Sequence, residues 1–216
     1  MLSTGNDIVD LRLTDTDRTN QSRFFSKILS PSEQQSAPPD LPFEKYVWLL
    51  WTIKESAYKY FKRLIPDLAF SPPRIVIDQL NFPGIVFNFS SQNEFCEKDI
   101  PQNTFYFGKA SLVHGSVFFR SIITEELIAT VVDADPDFTK THWGIKVCED
   151  PDAENLSAEV RAFSLKRLNS ILSTANLRFE KSEIGYPILL NQNEELIDAV
   201  SFAHHGRFVA YCFKLR

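Results

Sequence analysis

At 216 residues, with 44% hydrophobic and 24% charged side chains, the chain has the length of one large domain or two small ones and a globular composition, which argues against disordered and membrane-embedded classes. A net charge of −5 and a pI near 5.4 argue against broad electrostatic binding of nucleic acid or of an anionic membrane. The three cysteines, Cys96, Cys148 and Cys212, lack metal-ligand spacing, and no basic segment followed by a long apolar run opens the chain, so a reducing, cytoplasmic setting is expected.

In chain order, GNDIVDL (5–11) predicts a first strand through Ile8, Val9 and Leu11, which Asp7 and Asp10 interrupt. A buried ionised carboxylate is costly unless a hydrogen-bonding backbone, a cationic side chain or a metal compensates it. Apolar spacing predicts a helix over 18–30 with Asp17 as its N-cap. SPSEQQSAPPDLP (30–42) reads as a loop, because Pro38, Pro39 and Pro42 exclude a regular element. Pro42 then opens the longest helix, which stops before Pro66. Its YVWLLW run (46–51) is far too short to span a bilayer.

Five strands follow between 74 and 133, in RIVID, GIVFNF, TFYFGKASLV, SVFFRSII and LIATVVD, and without helices between them they pair antiparallel. DADPDFTKT (133–141) reads as a linker. HWGIKV is then a strand, SAEVRAFSLKRLNSIL a helix, and YPILL, AVSFAHH and FVAYCFKL are strands. The order strand, helix, strands thus occurs twice. The expectation is an α+β fold of two pseudo-repeated halves, 1–135 and 136–216, each a helix packed on a small antiparallel sheet, with a cleft between them.

On the long helix, Trp51, Glu55, Tyr58, Lys59 and Lys62 recur at steps of three or four and share one face, with Lys54 at its edge. Taken alone, Glu55 followed by Lys59 is the preferred helical ion pair, and an acidic strand end often only caps a turn. Taken with Asp7, Glu55 supplies a second carboxylate for a hard cation such as Mg²⁺, while Lys54, Lys59, Lys62 and Arg63 could meet a phosphate ligand.

GNDIVDL, RFFSKILSPSE and WTIKESAYK, in that order over residues 5–59, resemble the successive signatures of the 4'-phosphopantetheinyl transferase superfamily. GYPILL (185–190) and VSFAHHG (200–206) resemble its G-K-P and S-x-S-H-x-G elements, with Tyr186 in place of the usual lysine and Ala203 in place of the usual serine. The metal strand opens the chain, as in the short holo-acyl-carrier-protein synthase type, and a second copy looks fused behind it. In the double-length type the motif sets run in the opposite order, and an acid stands two positions after the strand aspartate. Here that position is Val9, and Asp10 points opposite to Asp7.

The resemblance implies Mg²⁺-dependent transfer of 4'-phosphopantetheine from coenzyme A to a serine of an apo acyl or peptidyl carrier protein, releasing adenosine 3',5'-bisphosphate. It makes Asp7 and Glu55 the metal ligands. Lys59 would neutralise charge on the leaving side, and Glu55 or a metal-bound water would take the serine proton. Coenzyme A contacts would fall to His204, Lys54 and Arg161, with Lys166 and Arg167 as further candidates for its 3'-phosphate. Arg23, Lys27, Lys62 and Arg63 would face the acidic carrier. Neither nucleic acid nor membrane is an expected partner, and two halves in one chain make a monomer sufficient. The alternatives are a non-catalytic homologue that binds coenzyme A or a carrier, a Mg²⁺-dependent phosphate hydrolase, and a purely structural module.

Overall fold

The structure is a computed structural model that describes residues 2–87, 93–172, 176–192, 194–195 and 199–216. Strand β1 (Gly5–Asp10) pairs antiparallel with β6 (Leu127–Asp133), placing Asp7 opposite Thr130. Outward from β6 the sheet continues through β5 (Gly115–Ile123) and β4 (Tyr106–Leu112) to β2 (Val76–Asn81). The second sheet has the order β11 (Ala199–His205), β12 (Phe208–Lys214), β7 (Thr141–Val147), β3 (Glu94–Cys96). A third joins β10 (Glu194–Glu195), β9 (Pro187–Asn191) and β8 (Leu177–Lys181). Every described pairing is antiparallel, so the fold is α+β.

The short helices are α1 (Thr16–Thr19), α2 (Ser22–Phe25) and α3 (Pro31–Gln35); the long ones are α4 (Phe43–Leu64) and α5 (Ala153–Leu172). Apolar residues sort the layers. Val47, Leu50, Ile53 and Ala57 of α4 pack on Val117, Phe119, Ile128 and Val132 of the first sheet. Ile8, Ile122 and Ala129 meet Phe208, Ala210 and Cys212 between the two sheets. Val209, Tyr211 and Phe213, the alternate residues of β12, face Val160, Phe163 and Leu168 of α5. The layers therefore run α4, first sheet, second sheet, α5.

Gly5 permits the closest of these contacts. A Cβ there would stand 2.1 Å from the Ser56 carbonyl oxygen of α4, so only hydrogen lets the helix lie across β1. Gly5→Ala should cost about 1–3 kcal/mol, the usual range for overpacking. Urea unfolding measures this, and an unchanged midpoint would show that the helix tolerates a displacement from the strand.

Several local expectations are corrected. The helix expected over 18–30 is two short turns, α1 and α2, because Gln21 between them is extended at φ −80°, ψ 133°. The N-cap is Asp15, which accepts from Arg18 N, and not Asp17. The segment 30–42 contains α3, since Pro31 occupies its first turn and Ser30 and Glu33 close a capping box ahead of the later prolines. In GIVFNF, residues 84–87 form no strand, and 88–89 lie outside the described residues. Strands β3, β8 and β10 were not expected. β3 pairs with β7, so the second sheet takes its edge strand from sequence that precedes residue 136.

The segment 133–141 is a tight connection and no slack linker. Asp135 accepts from Asp137 N and Thr139 N, and Phe138, at φ 57°, is buried between the sheets. Among the described residues no helix is long and apolar enough to cross a membrane.

Candidate active site

The helical spacing read from the sequence holds in α4, and Glu55 and Lys59 project from its half-exposed face toward β1. The Lys59 Nζ donates to Asp7 Oδ1 at 3.0 Å and to the Asn6 carbonyl at 2.9 Å, and lies 3.6 Å from Glu55 Oε1. One ammonium therefore links the strand carboxylate to the helix carboxylate. Asp7 is 7% exposed and accepts from Ile8 N. Burial, and after it the neighbouring Glu55, raise its pKa to about 6 against the opposing pull of Lys59.

That shift has a definite sign. Between about pH 4 and pH 6 the folded protein keeps a proton that the unfolded chain releases, so metal-free stability falls as pH rises through this window, by about 3 kcal/mol in all. Asp7→Asn should remove this part of the slope. Denaturation midpoints of both proteins in chelator at pH 4 and 7 test it, and parallel profiles would contradict the shift.

Two carboxylate oxygen donors on neighbouring elements, one of them buried with its charge incompletely compensated, fit a hard divalent cation. No group of three or more His, Cys, Asp or Glu gathers among the described residues. The protein would thus supply the two carboxylates, and water and phosphate the remaining ligands, the usual arrangement for Mg²⁺.

In the second sheet, His204 stands at the exposed end of β11. Burial lowers its pKa, and the Lys59 ammonium and His205 lower it further, so His204 lies within electrostatic range of Lys59. Asp7, Glu55 and Lys59 are therefore brought together from β1 and α4, and His204 of β11 lies within electrostatic range of the same lysine.

Other candidates lie elsewhere. Lys54 is 0% exposed, with its Nζ 2.5 Å from Glu33 Oε2 and 2.8 Å from the Ile28 carbonyl, so it stands inside the protein and not at the edge of the exposed face. Arg161 sits half-buried on α5, across the second sheet from Asp7. Lys166 pairs with Glu94, and Arg167 with Glu97. Arg63 is buried, donates to the Pro187 and Val200 carbonyls, and stacks 4.5 Å from the Tyr186 ring, so it ties α4 to the third sheet instead of facing a carrier. Tyr186, where a lysine was expected, thus serves packing. Lys62 caps the Leu68 carbonyl.

Asp10 is fully buried and held by Arg12, whose Nε and backbone N donate to Oδ1 at 3.0 and 3.1 Å and whose Nη2 donates to Oδ2 at 2.6 Å. Three residues were missed as contributors. Glu33 was visible only as the end of an S-x-x-E spacing; Ser201 and His205 lie inside the VSFAHHG segment, which gave a role to His204 alone. Ser201 accepts from Asn6 N at 3.2 Å and His205 from Asp10 N at 2.9 Å.

No curated protein and no solved structure matches the chain. A family model does match, over residues 3–101, the stretch that holds Asp7, Glu33, Glu55 and Lys59. That model describes the 4'-phosphopantetheinyl transferase superfamily, so residues 3–101 are similar to this superfamily, and phosphopantetheinyl transfer is the general reaction the match supports.

Proposed function

We propose that the protein is a Mg²⁺-dependent transferase that moves 4'-phosphopantetheine from coenzyme A to a serine of an apo acyl or peptidyl carrier protein and releases adenosine 3',5'-bisphosphate. The observation that carries this reading is Lys59 standing between Asp7 and Glu55 inside the stretch that matches the superfamily. Asp7 and Glu55 would hold Mg²⁺, which when bound supplies charge neutralisation at a pyrophosphate.

In the step itself, the carrier serine oxygen bonds to the phosphorus that bears pantetheine, and the bond from that phosphorus to the bridging oxygen breaks. The bridging oxygen leaves with adenosine 3',5'-bisphosphate. Glu55, half-exposed on the outer face of α4, accepts the serine proton, and the Lys59 ammonium offsets the negative charge that grows on the leaving phosphate. His204, from β11, binds a phosphate of coenzyme A. The halves 1–135 and 136–216 would act as one pseudo-dimeric unit. Strand order favours this, because β1, β6, β5 in the first sheet and β7, β12, β11 in the second both run first, last, penultimate strand.

A second reading, a homologue that binds coenzyme A or a carrier without transfer, draws on Tyr186, whose ring lies under Arg63, and on Ala203, which carries no hydroxyl. Intact mass of several apo carrier proteins after incubation with the protein, coenzyme A and Mg²⁺ separates the two. A phosphopantetheine adduct on the carrier serine is the expected result. Coenzyme A binding by calorimetry without an adduct on any carrier would favour the binder.

A further inference from the structure

Asp10, the second acid of the opening strand, points away from the candidate site and is fully buried, yet the second half of the chain closes around it. His205 Nδ1 accepts from its backbone N–H at 2.9 Å, and Arg207 N donates to its Oδ2 at 3.4 Å. Gly206 lies between them at φ +55°, and a Cβ there would stand 2.3 Å from Asp10 Oδ2. The turn that follows His204 is thus seated on one carboxylate of β1, and only glycine fits at its apex. Arg12, which holds that carboxylate, lies 4.0 Å from Glu126, and Glu126 in turn receives Arg207 Nη2 at 2.7 Å.

A second contact fixes the register. Asn6 N donates to Ser201 Oγ, so residues 6 and 10 of β1 match residues 201 and 205 of β11 at the same spacing and in the same direction. Side chains of β11 replace the backbone ladder along the open edge of β1. Ser201, Ala203 and His205 face that edge, and by alternation His204 turns to the other side, at the exposed end of the strand.

We infer that Asp10 and His205 are positioning residues, which clamp the His204 turn onto β1 so that the coenzyme-binding imidazole keeps a fixed place relative to Asp7 and Glu55. This rests on the proposed function. A backbone N–H can only donate, so the His205 nitrogen that faces it carries no proton, and the clamp requires an acceptor at that place. Asparagine supplies one and leucine does not.

The test is calorimetric titration of coenzyme A and, separately, of Mg²⁺ into the unmodified protein, His205→Leu, His205→Asn, Asp10→Ala, His204→Ala and the double variant His204→Ala/His205→Leu. His205→Leu and Asp10→Ala should each weaken coenzyme A binding about tenfold, within the range for residues that share one network. Mg²⁺ affinity should be unchanged, and His205→Asn should recover most of the loss. In the His204→Ala background, His205→Leu should cost nothing further. An additive loss in the double variant, or a parallel loss of Mg²⁺ affinity, would overturn the clamp. Thermal unfolding of His205→Leu accompanies the titrations; if that variant is unfolded, His205→Asn and Asp10→Ala decide by the same criteria. Failure of the unmodified protein to bind coenzyme A would instead overturn the proposed function.

Discussion

Asp7→Ala and Glu55→Ala should each reduce pantetheinyl transfer by about 10² to 10³-fold or more, the scale of losing a preorganised electrostatic contact to a reacting group. Each removes half of the carboxylate donors that converge on Lys59. Neither should unfold the protein. β1 keeps its backbone pairing to β6 from Gly5 to Asp10, and Glu55 lies on a half-exposed helix face where alanine is a favourable residue. Asp7→Ala should even be slightly stabilising at pH 7 without metal, because burial has raised the Asp7 pKa to about 6 and its ionised form is held there at a cost. The measurement is initial rate by intact mass, with thermal midpoints alongside. Full activity in either variant would remove that residue from the site, and loss of activity together with loss of fold would show a structural role instead.

Lys54→Ala should destabilise the protein by about 3–5 kcal/mol, the cost of leaving one partner of a buried ion pair alone. Lys54 and Glu33 are both buried, at 0% and 5% exposure, and Glu33 is bound at every side. Its Oε2 also accepts from Ser30 N at 2.7 Å, its Oε1 accepts from Ile77 N at 3.2 Å, and Tyr46 donates to its carbonyl at 3.0 Å. The pair therefore joins α3, α4 and the start of β2, and burial lowers the Lys54 pKa against the pull of Glu33. At about 2–4 °C per kcal/mol for a chain of this size, the thermal midpoint should fall by about 10 °C. Lys54→Met combined with Glu33→Leu should recover part of that loss, since neither charge then stays buried alone. A Lys54→Ala protein with an unaltered midpoint and weakened coenzyme A binding would return Lys54 to a ligand-contacting role.

Lys54 also marks where reading the chain stops being sufficient. The sequence by itself determined the long helix, because Pro42 and Pro66 bracket an apolar period that only a helix satisfies, and it determined most strands, because their apolar runs are short and bounded by turns. It also put Glu55 and Lys59 on one helix face, since local spacing suffices for that. Which side of a helix meets the core is a matter of packing, and the position next to Glu55 turned out to be the most deeply buried lysine in the protein. The short elements α3 and β3 went unread because a capping box and a single edge pairing stabilise them, and neither has a period. Alternation along one strand already sets Asp7 and Asp10, three residues apart, on opposite faces; only the tertiary structure decided what each of them meets. Alternation turns Asp7 to α4 and Lys59, and Asp10 to Arg12 and the turn after His204, and those partners lie up to almost two hundred residues further along the chain.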